Sequence, residues 1–135
     1  DSGLYQVRLE INATINGTPI TESMLKAIRI RPTPVTYFSN PSVCLNQITL
    51  FRDTSNTFGE PNTWWHWNFS TNPTDTSNVK NPPHKYDTAG IYNVKLVVMN
   101  KYGCEDSLTK ETRVYRLPSA AFEEHPSRNQ QPETA

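Results

Sequence analysis

Apolar residues along this chain recur mainly with period two. Tyr5, Val7, Leu9 and Ile11 alternate with Gln6, Arg8 and Glu10, and Tyr92, Val94, Leu96 and Val98 alternate with Asn93 and Lys95. Side chains alternate sides along a strand, so each set predicts one buried and one solvated face. Trp65, Trp67 and Phe69 share a predicted inner face, with Trp64, His66 and Asn68 opposite. Shorter strands are predicted at Val35–Phe38, Gln47–Asp53 and Thr112–Tyr115; in Gln47–Asp53, Ile48 and Leu50 compete with Phe51 for the inside. No window of a dozen residues carries a 3.6-residue apolar repeat. Asn16-Gly17 is a tight-turn pair, which predicts a hairpin joining Tyr5–Thr14 to the run from Thr18, and Lys101-Tyr102-Gly103 occupies the matching place later on. The class is all-β, a sandwich with loops rich in turn residues.

The chain repeats itself. Gly3-Leu4-Tyr5-Gln6-Val7-Arg8-Leu9 returns as Gly90-Ile91-Tyr92-Asn93-Val94-Lys95-Leu96, an offset of 87. Lys26-x-x-Arg29-Ile30 returns as Lys110-x-x-Arg113-Val114, and Pro34-x-x-x-Phe38 as Pro118-x-x-x-Phe122, both at 84. A unit of about 84 residues follows. Residues 34–117 form one complete unit, residues 1–33 the last strands of a preceding one, and residues 118–135 the start of a following unit or a linker. Proline marks both joints, Arg31-Pro32-Thr33-Pro34 and Arg116-Leu117-Pro118. It fixes its own φ and holds its predecessor extended, so these joints are expected to be short and stiff. A lone hairpin is marginal in water, so residues 1–33 are expected to be covered by an adjoining repeat or another protein chain.

Composition narrows the chemistry. The 135 residues carry 13 basic and 13 acidic side chains, and 35% are hydrophobic. Zero net charge removes the simple electrostatic route to nucleic acid or acidic membranes. No apolar run approaches the roughly 18 residues of a membrane helix. No signal-peptide pattern opens the chain and its first residue is Asp, so it reads as a mature or excised fragment. Low hydrophobicity alone would suit disorder, but the aromatics of the middle argue against it there. The tail Glu123–Ala135 is expected to be poorly ordered by itself.

Cys44 and Cys104 are the only cysteines. A metal site would want further ligands close by in sequence, and a catalytic thiol would want a positioned His. A disulfide is the preferred reading. It would close a loop of about 60 residues, worth roughly 4 kcal/mol, and place the chain outside the cytoplasm. No HExxH, nucleophile elbow, P-loop or GxGxxG occurs, and an enzyme is not expected. Trp64, with His66 beside it, is a candidate ligand contact, because sugars stack on flat exposed rings.

Four blocks in order resemble the PKD (polycystic kidney disease) domain. They are Phe51-x-Asp53-x-Ser55, Trp67-Asn68-Phe69, Asn81-Pro82-Pro83-His84-Lys85-Tyr86, and Gly90-Ile91-Tyr92-Asn93-Val94-Lys95-Leu96 followed by Asn100-x-x-Gly103. The resemblance implies an immunoglobulin-like β-sandwich of seven strands with Phe51, Asp53, Trp67, Phe69, His84, Tyr86, Gly90 and Tyr92 as structural motif residues. Tyr92 would form a tyrosine corner. A true immunoglobulin domain would want Cys where Val94 stands. The spacing of Cys44 from Gly103-Cys104 resembles tandem PKD repeats of large Bacteroidetes surface and gliding-associated proteins, many exported by the type IX secretion system. Asp87-Thr88-Ala89 and Asp106-Ser107-Leu108 resemble the O-glycosylation signal of that group. Asn12, Asn16 and Asn68 open N-glycosylation sequons, relevant in a eukaryotic host. Some PKD domains hold Ca²⁺, but here the family's Trp-Asp-Phe-Gly-Asp reads Trp67-Asn68-Phe69-Ser70-Thr71. Asp53, Asp75 and Asp87 remain without clustering, so no cofactor is expected and Ca²⁺ is only a minor alternative.

The function expected from this is a non-catalytic tandem module of a large secreted or cell-surface protein, an extended spacer and a protein–protein or adhesion module. The alternative is an accessory carbohydrate-binding module centred on Trp64, with polysaccharide as partner.

Overall fold

A computed structural model describes residues 2–121. It contains two long hairpins and a set of shorter strands, with no helix among the described residues. β1 (Gly3–Ile15) and β2 (Thr18–Ile30) form the first hairpin. Ile15 faces Thr18 across a two-residue loop. Asn16 and Gly17 take φ of 53° and 77°, the two positive values of a type I′ turn, whose twist matches that of the strands.

The sandwich follows. Its strands are β3 (Phe38–Ser39), β4 (Val43–Cys44), β5 (Ile48–Leu50), β6 (Arg52–Asp53), β7 (Asn62–Asn68), β8 (Thr76–Ser77), β9 (Pro83–Lys85), β10 (Gly90–Asn100) and β11 (Glu105–Tyr115). One layer is a five-stranded sheet in the order β4-β11-β10-β7-β8. Its β4–β11 edge is parallel, and the β10 pairings with β7 and β11 are antiparallel. The other layer is built from β3 paired with β6 and β5 paired with β9. β5 and β6 are one run interrupted at Phe51, whose N–H donates to the Pro82 carbonyl at 3.1 Å.

The core consists of Phe38, Phe51, Trp67, Phe69, Tyr86, Val94, Leu96, Val98 and Val114. Trp67 is its centre: Phe38 meets it edge-on at 5.1 Å and Phe51 lies at 5.5 Å, so the two layers touch through aromatic rings. The indole N–H of Trp67 donates to the Val79 carbonyl at 2.9 Å, which satisfies its one polar atom inside. The ambiguous run 47–53 resolves in favour of Thr49 and Phe51, both buried, with Ile48 and Leu50 left exposed. Aromatic volume at Phe51 outweighs two aliphatic side chains because it fills the space beside Trp67 and Phe69.

The expected disulfide is corrected. Cys44 and Cys104 are both free thiols. Cys44 lies opposite Tyr115 at the end of β11, whereas Cys104 immediately precedes Glu105 at its start. Eleven residues of extended chain at about 3.3 Å each place the two roughly 35 Å apart, and a disulfide needs Cα atoms within about 7 Å. The expected disorder of Glu123–Ala135 and the match at Phe122 fall outside the described residues.

The sequence repeat returns as geometry. Gly3 faces Ile30 as Gly90 faces Val114; Leu4 faces Arg29 as Ile91 faces Arg113; Val7 faces Lys26 as Val94 faces Lys110. The two hairpins share one register. They differ in the loop end, where the first is three residues longer.

Candidate functional site

The motif residues are positioned by hydrogen bonds that close loops at the strand ends. Asp53 ends the interrupted second-layer run and accepts from the Ser55 amide at 3.0 Å, from the Ser55 hydroxyl, and from the Trp65 indole N–H at 2.8 Å. One carboxylate therefore turns the chain after β6 and ties it to β7. His84 is stacked on Phe69 at 4.1 Å, edge-on to Tyr86 at 4.5 Å, with Nε2 3.7 Å from Asp75 Oδ1. Burial holds its pKa below the usual 6.5 even though Asp75 and Asp87 pull the other way. Tyr86 donates to the Phe69 carbonyl at 3.2 Å, and burial pushes its phenol well up. Tyr92 donates to the Thr88 carbonyl four residues upstream at 2.8 Å, the contact of a tyrosine corner. Gly90 has no left-handed conformation, and a Cβ there would meet the Tyr92 ring at an ordinary 3.9 Å.

Three surfaces are candidates for function. The first is the outer face of β7. Trp64 is 37% exposed and its ring is stacked with that of His66, centroids 5.7 Å apart and planes 9° from parallel. The His66 ring is itself held, Nδ1 lying 2.9 Å from the Asn78 side-chain oxygen. The second is an open polar hollow of about 440 Å³ bounded by Asp75, His84, Asp87, Thr88 and Tyr92. Its carboxylates are already engaged in part, since Ser70 donates to Asp75 at 2.8 Å. Among the described residues no three His, Cys, Asp or Glu side chains stand together as a metal site. Asp53 sits apart from the hollow, bound to Trp65. Of the glycosylation candidates, Thr88 is exposed but its hydroxyl contacts the Tyr92 hydroxyl at 2.7 Å, and Ser107 is exposed on β11.

The third surface is the joint between the first hairpin and the sandwich. Arg31 leaves β2 and pairs with the Glu60 carboxylate. Its guanidinium also lies over the Tyr102 ring, 4.1 Å from the centroid. Asn100 donates to the Pro32 carbonyl at 3.4 Å, Pro34 is fully buried, and the Thr36 amide donates to Asp106 at 2.7 Å. That backbone hydrogen bond is the main reason the Asp106 carboxyl stays below the usual carboxylate range. The sequence marked this joint as Arg31-Pro32-Thr33-Pro34 but did not point to Glu60, Tyr102 or Asp106 as its partners. The available signal was an arginine directly before Pro-x-Pro, which is suggestive only once a partner carboxylate is known to lie near.

These features define an immunoglobulin-like β-sandwich module. The family profile for the PKD domain matches residues 31–115, and the chain belongs to that family. It is similar to the PKD1 domain of Vibrio anguillarum Epp (23% identity, TM-score 0.58, covering 64% of this chain and 99% of that one). It is also similar to the PKD1 domain of the Vibrio cholerae metalloprotease PrtV (25% identity, TM-score 0.55, 62% and 99% covered). A structure of carbohydrate-binding modules from the β-sandwich superfamily, described as promiscuous in specificity, aligns at 22% identity with TM-score 0.57, over 64% of this chain and 36% of that one. At these identities the likenesses show the fold. No curated protein matches the chain. PKD domains are generally non-catalytic modules, and they occur in extracellular and secreted proteins. Among the described residues no helix is long and apolar enough to cross a membrane, which says nothing of β-barrel spans.

Proposed function

We propose that this chain is a spacer segment of a large secreted or cell-surface protein with tandem PKD units, of the kind its motifs resemble in Bacteroidetes surface proteins. In this reading it also serves as a protein–protein or adhesion module. The observation that carries the reading is the joint. Arg31 is held between Glu60 and the Tyr102 ring, Asn100 holds Pro32, and Pro34 is buried. A linker that is short, proline-restricted and bonded into the next unit transmits orientation instead of absorbing it. The array then holds whatever it carries at a fixed distance.

The test is a spin-label distance measurement between Gln6→Cys and Thr109→Cys in a Cys44→Ser, Cys104→Ser background. A narrow distribution that broadens at least about twofold with Arg31→Ala supports a stiff spacer. A distribution already broad in the parent would overturn it.

A second reading, carbohydrate binding, is favoured by the exposed Trp64–His66 ring pair. Under it, Trp64→Ala abolishes binding to a polysaccharide panel without altering thermal stability. Under the spacer reading the parent protein binds none of the panel.

A further inference from the structure

The first hairpin carries the closing face of a sandwich without the sandwich. Val7, Leu9 and Ile11 are 49%, 59% and 59% exposed, whereas their equivalents Val94, Leu96 and Val98 are each at 0%. The register that sets these residues on one face is the same in both hairpins. Lys26 faces Val7 as Lys110 faces Val94, and in the complete unit the Lys110 ammonium donates to the Phe38 carbonyl at 2.9 Å. That bond anchors β11 to the opposite layer. The hairpin thus repeats both the apolar face and the cationic anchor that hold the front half of this sandwich, residues 34–89. Its other face is mixed, with Arg8 and Glu10 paired at 3.2 Å beside the exposed Leu4 and Leu25.

We propose that β1 and β2 close a preceding PKD sandwich, and that the occupant of the Val7–Leu9–Ile11 face is a front half equivalent to residues 34–89, carried ahead of Gly3 on the same polypeptide. This deepens the tandem-spacer reading and rests on it. A second copy of this chain is the poorer occupant, because its own front half is already closed by Val94, Leu96 and Val98 and would have to open first. A covalent front half has no such cost, and the 87-residue sequence offset places Gly3 where Gly90 follows residues 34–89. Lys26 then donates to the backbone carbonyl equivalent to that of Phe38, and this fixes register as well as affinity.

The experiment joins a second copy of residues 34–89 directly to Gly3 of the full chain. Amide exchange at Val7, Leu9 and Ile11 is expected to slow at least about 100-fold, as local opening gives way to cooperative unfolding of a domain. Leu9→Lys in the fusion returns these amides to the rates of the unfused chain, and Gln6→Lys, on the opposite face, leaves them protected. To guard against a mismatched core, the fusion is also made with Ile11→Val and Met24→Leu, which copy Val98 and Leu108. No slowing in either fusion overturns the proposal. So does protection in the unfused chain that rises with concentration and is lost in Leu9→Lys, because that assigns the face to a second copy. The joint measurement above is made on the unfused chain, so failure of the spacer reading and failure of this proposal are separable.

Discussion

The guanidinium of Arg31 lies 4.1 Å from the centroid of the Tyr102 ring. The two residues belong to different parts of the chain: one leaves the first hairpin, the other caps the loop between β10 and β11. A cation on an aromatic face at a partly exposed site is worth about 0.5–1 kcal/mol. That is too little to hold a domain but enough, beside the Glu60 pair, to choose one orientation of a short joint. Tyr102→Leu keeps an apolar flank and removes the ring. It is expected to broaden the hairpin-to-sandwich distance distribution while shifting the sandwich's thermal midpoint little, and Lys101→Ala is expected to do neither.

The Tyr92 hydroxyl bond to the Thr88 carbonyl is expected to matter for stability. Tyr92→Phe removes that bond together with the contact to the Thr88 hydroxyl, and leaves the ring packed 4.0 Å from Tyr86. The expected loss is about 1 kcal/mol, or several degrees in Tm by calorimetry. An unchanged Tm would mean that water replaces the bond without cost.

Two fully buried threonines should respond in opposite directions. Among the described residues the Thr49 hydroxyl has no hydrogen-bond partner, whereas that of Thr112 accepts from the Asn40 side chain at 3.0 Å. Thr49→Val is expected to stabilise the domain by about 1 kcal/mol, and Thr112→Val to destabilise it by a similar amount. Denaturant midpoints at constant m-value check both.

Stability should fall as pH drops below neutrality, and His84 should be the cause. In the unfolded chain His84 takes up its proton near the ordinary value of 6.5, while in the fold burial delays uptake to lower pH. Between the two values the unfolded state binds more protons, so stability declines as pH falls through that window and levels off below the folded pKa. His84→Phe is expected to remove this slope and to retain stacking on Phe69. Loss at more acid pH then belongs to carboxylates such as Asp106, whose lowered pKa gives stability that disappears as pH falls through the folded value.

The thiols are expected to be independent of each other. Two free thiols per chain should react in the unfolded protein, and reductant should leave the Tm unchanged. A single mass loss of two hydrogens with a Tm that drops on reduction would contradict the strand positions of Cys44 and Cys104.

Much of the architecture was readable from local pattern. The alternation through Tyr92, Val94, Leu96 and Val98 predicted the central strand, Asn16-Gly17 predicted the first turn, and the repeat offsets anticipated the shared register of the two hairpins. These succeed because strand period and turn φ are properties of a few neighbouring residues. Gln47–Asp53 was not readable, since Ile48 and Leu50 look more core-like than Thr49 until Trp67 and Phe69 are placed opposite Phe51. The Cys44–Cys104 pairing failed for the complementary reason: parity and count say nothing about which end of β11 a residue reaches.

The sequence by itself determined the all-β class, the motif residues of the family and the apolar face of the first hairpin, because each is written in residue identity and short-range spacing. Only the tertiary structure decided that the cysteines lie apart, that Asp53 holds Trp65, and that Arg31 is received by Glu60 and Tyr102. Those contacts join residues from 12 to 71 positions apart, and such distances are set by how two layers stack, which no local pattern encodes.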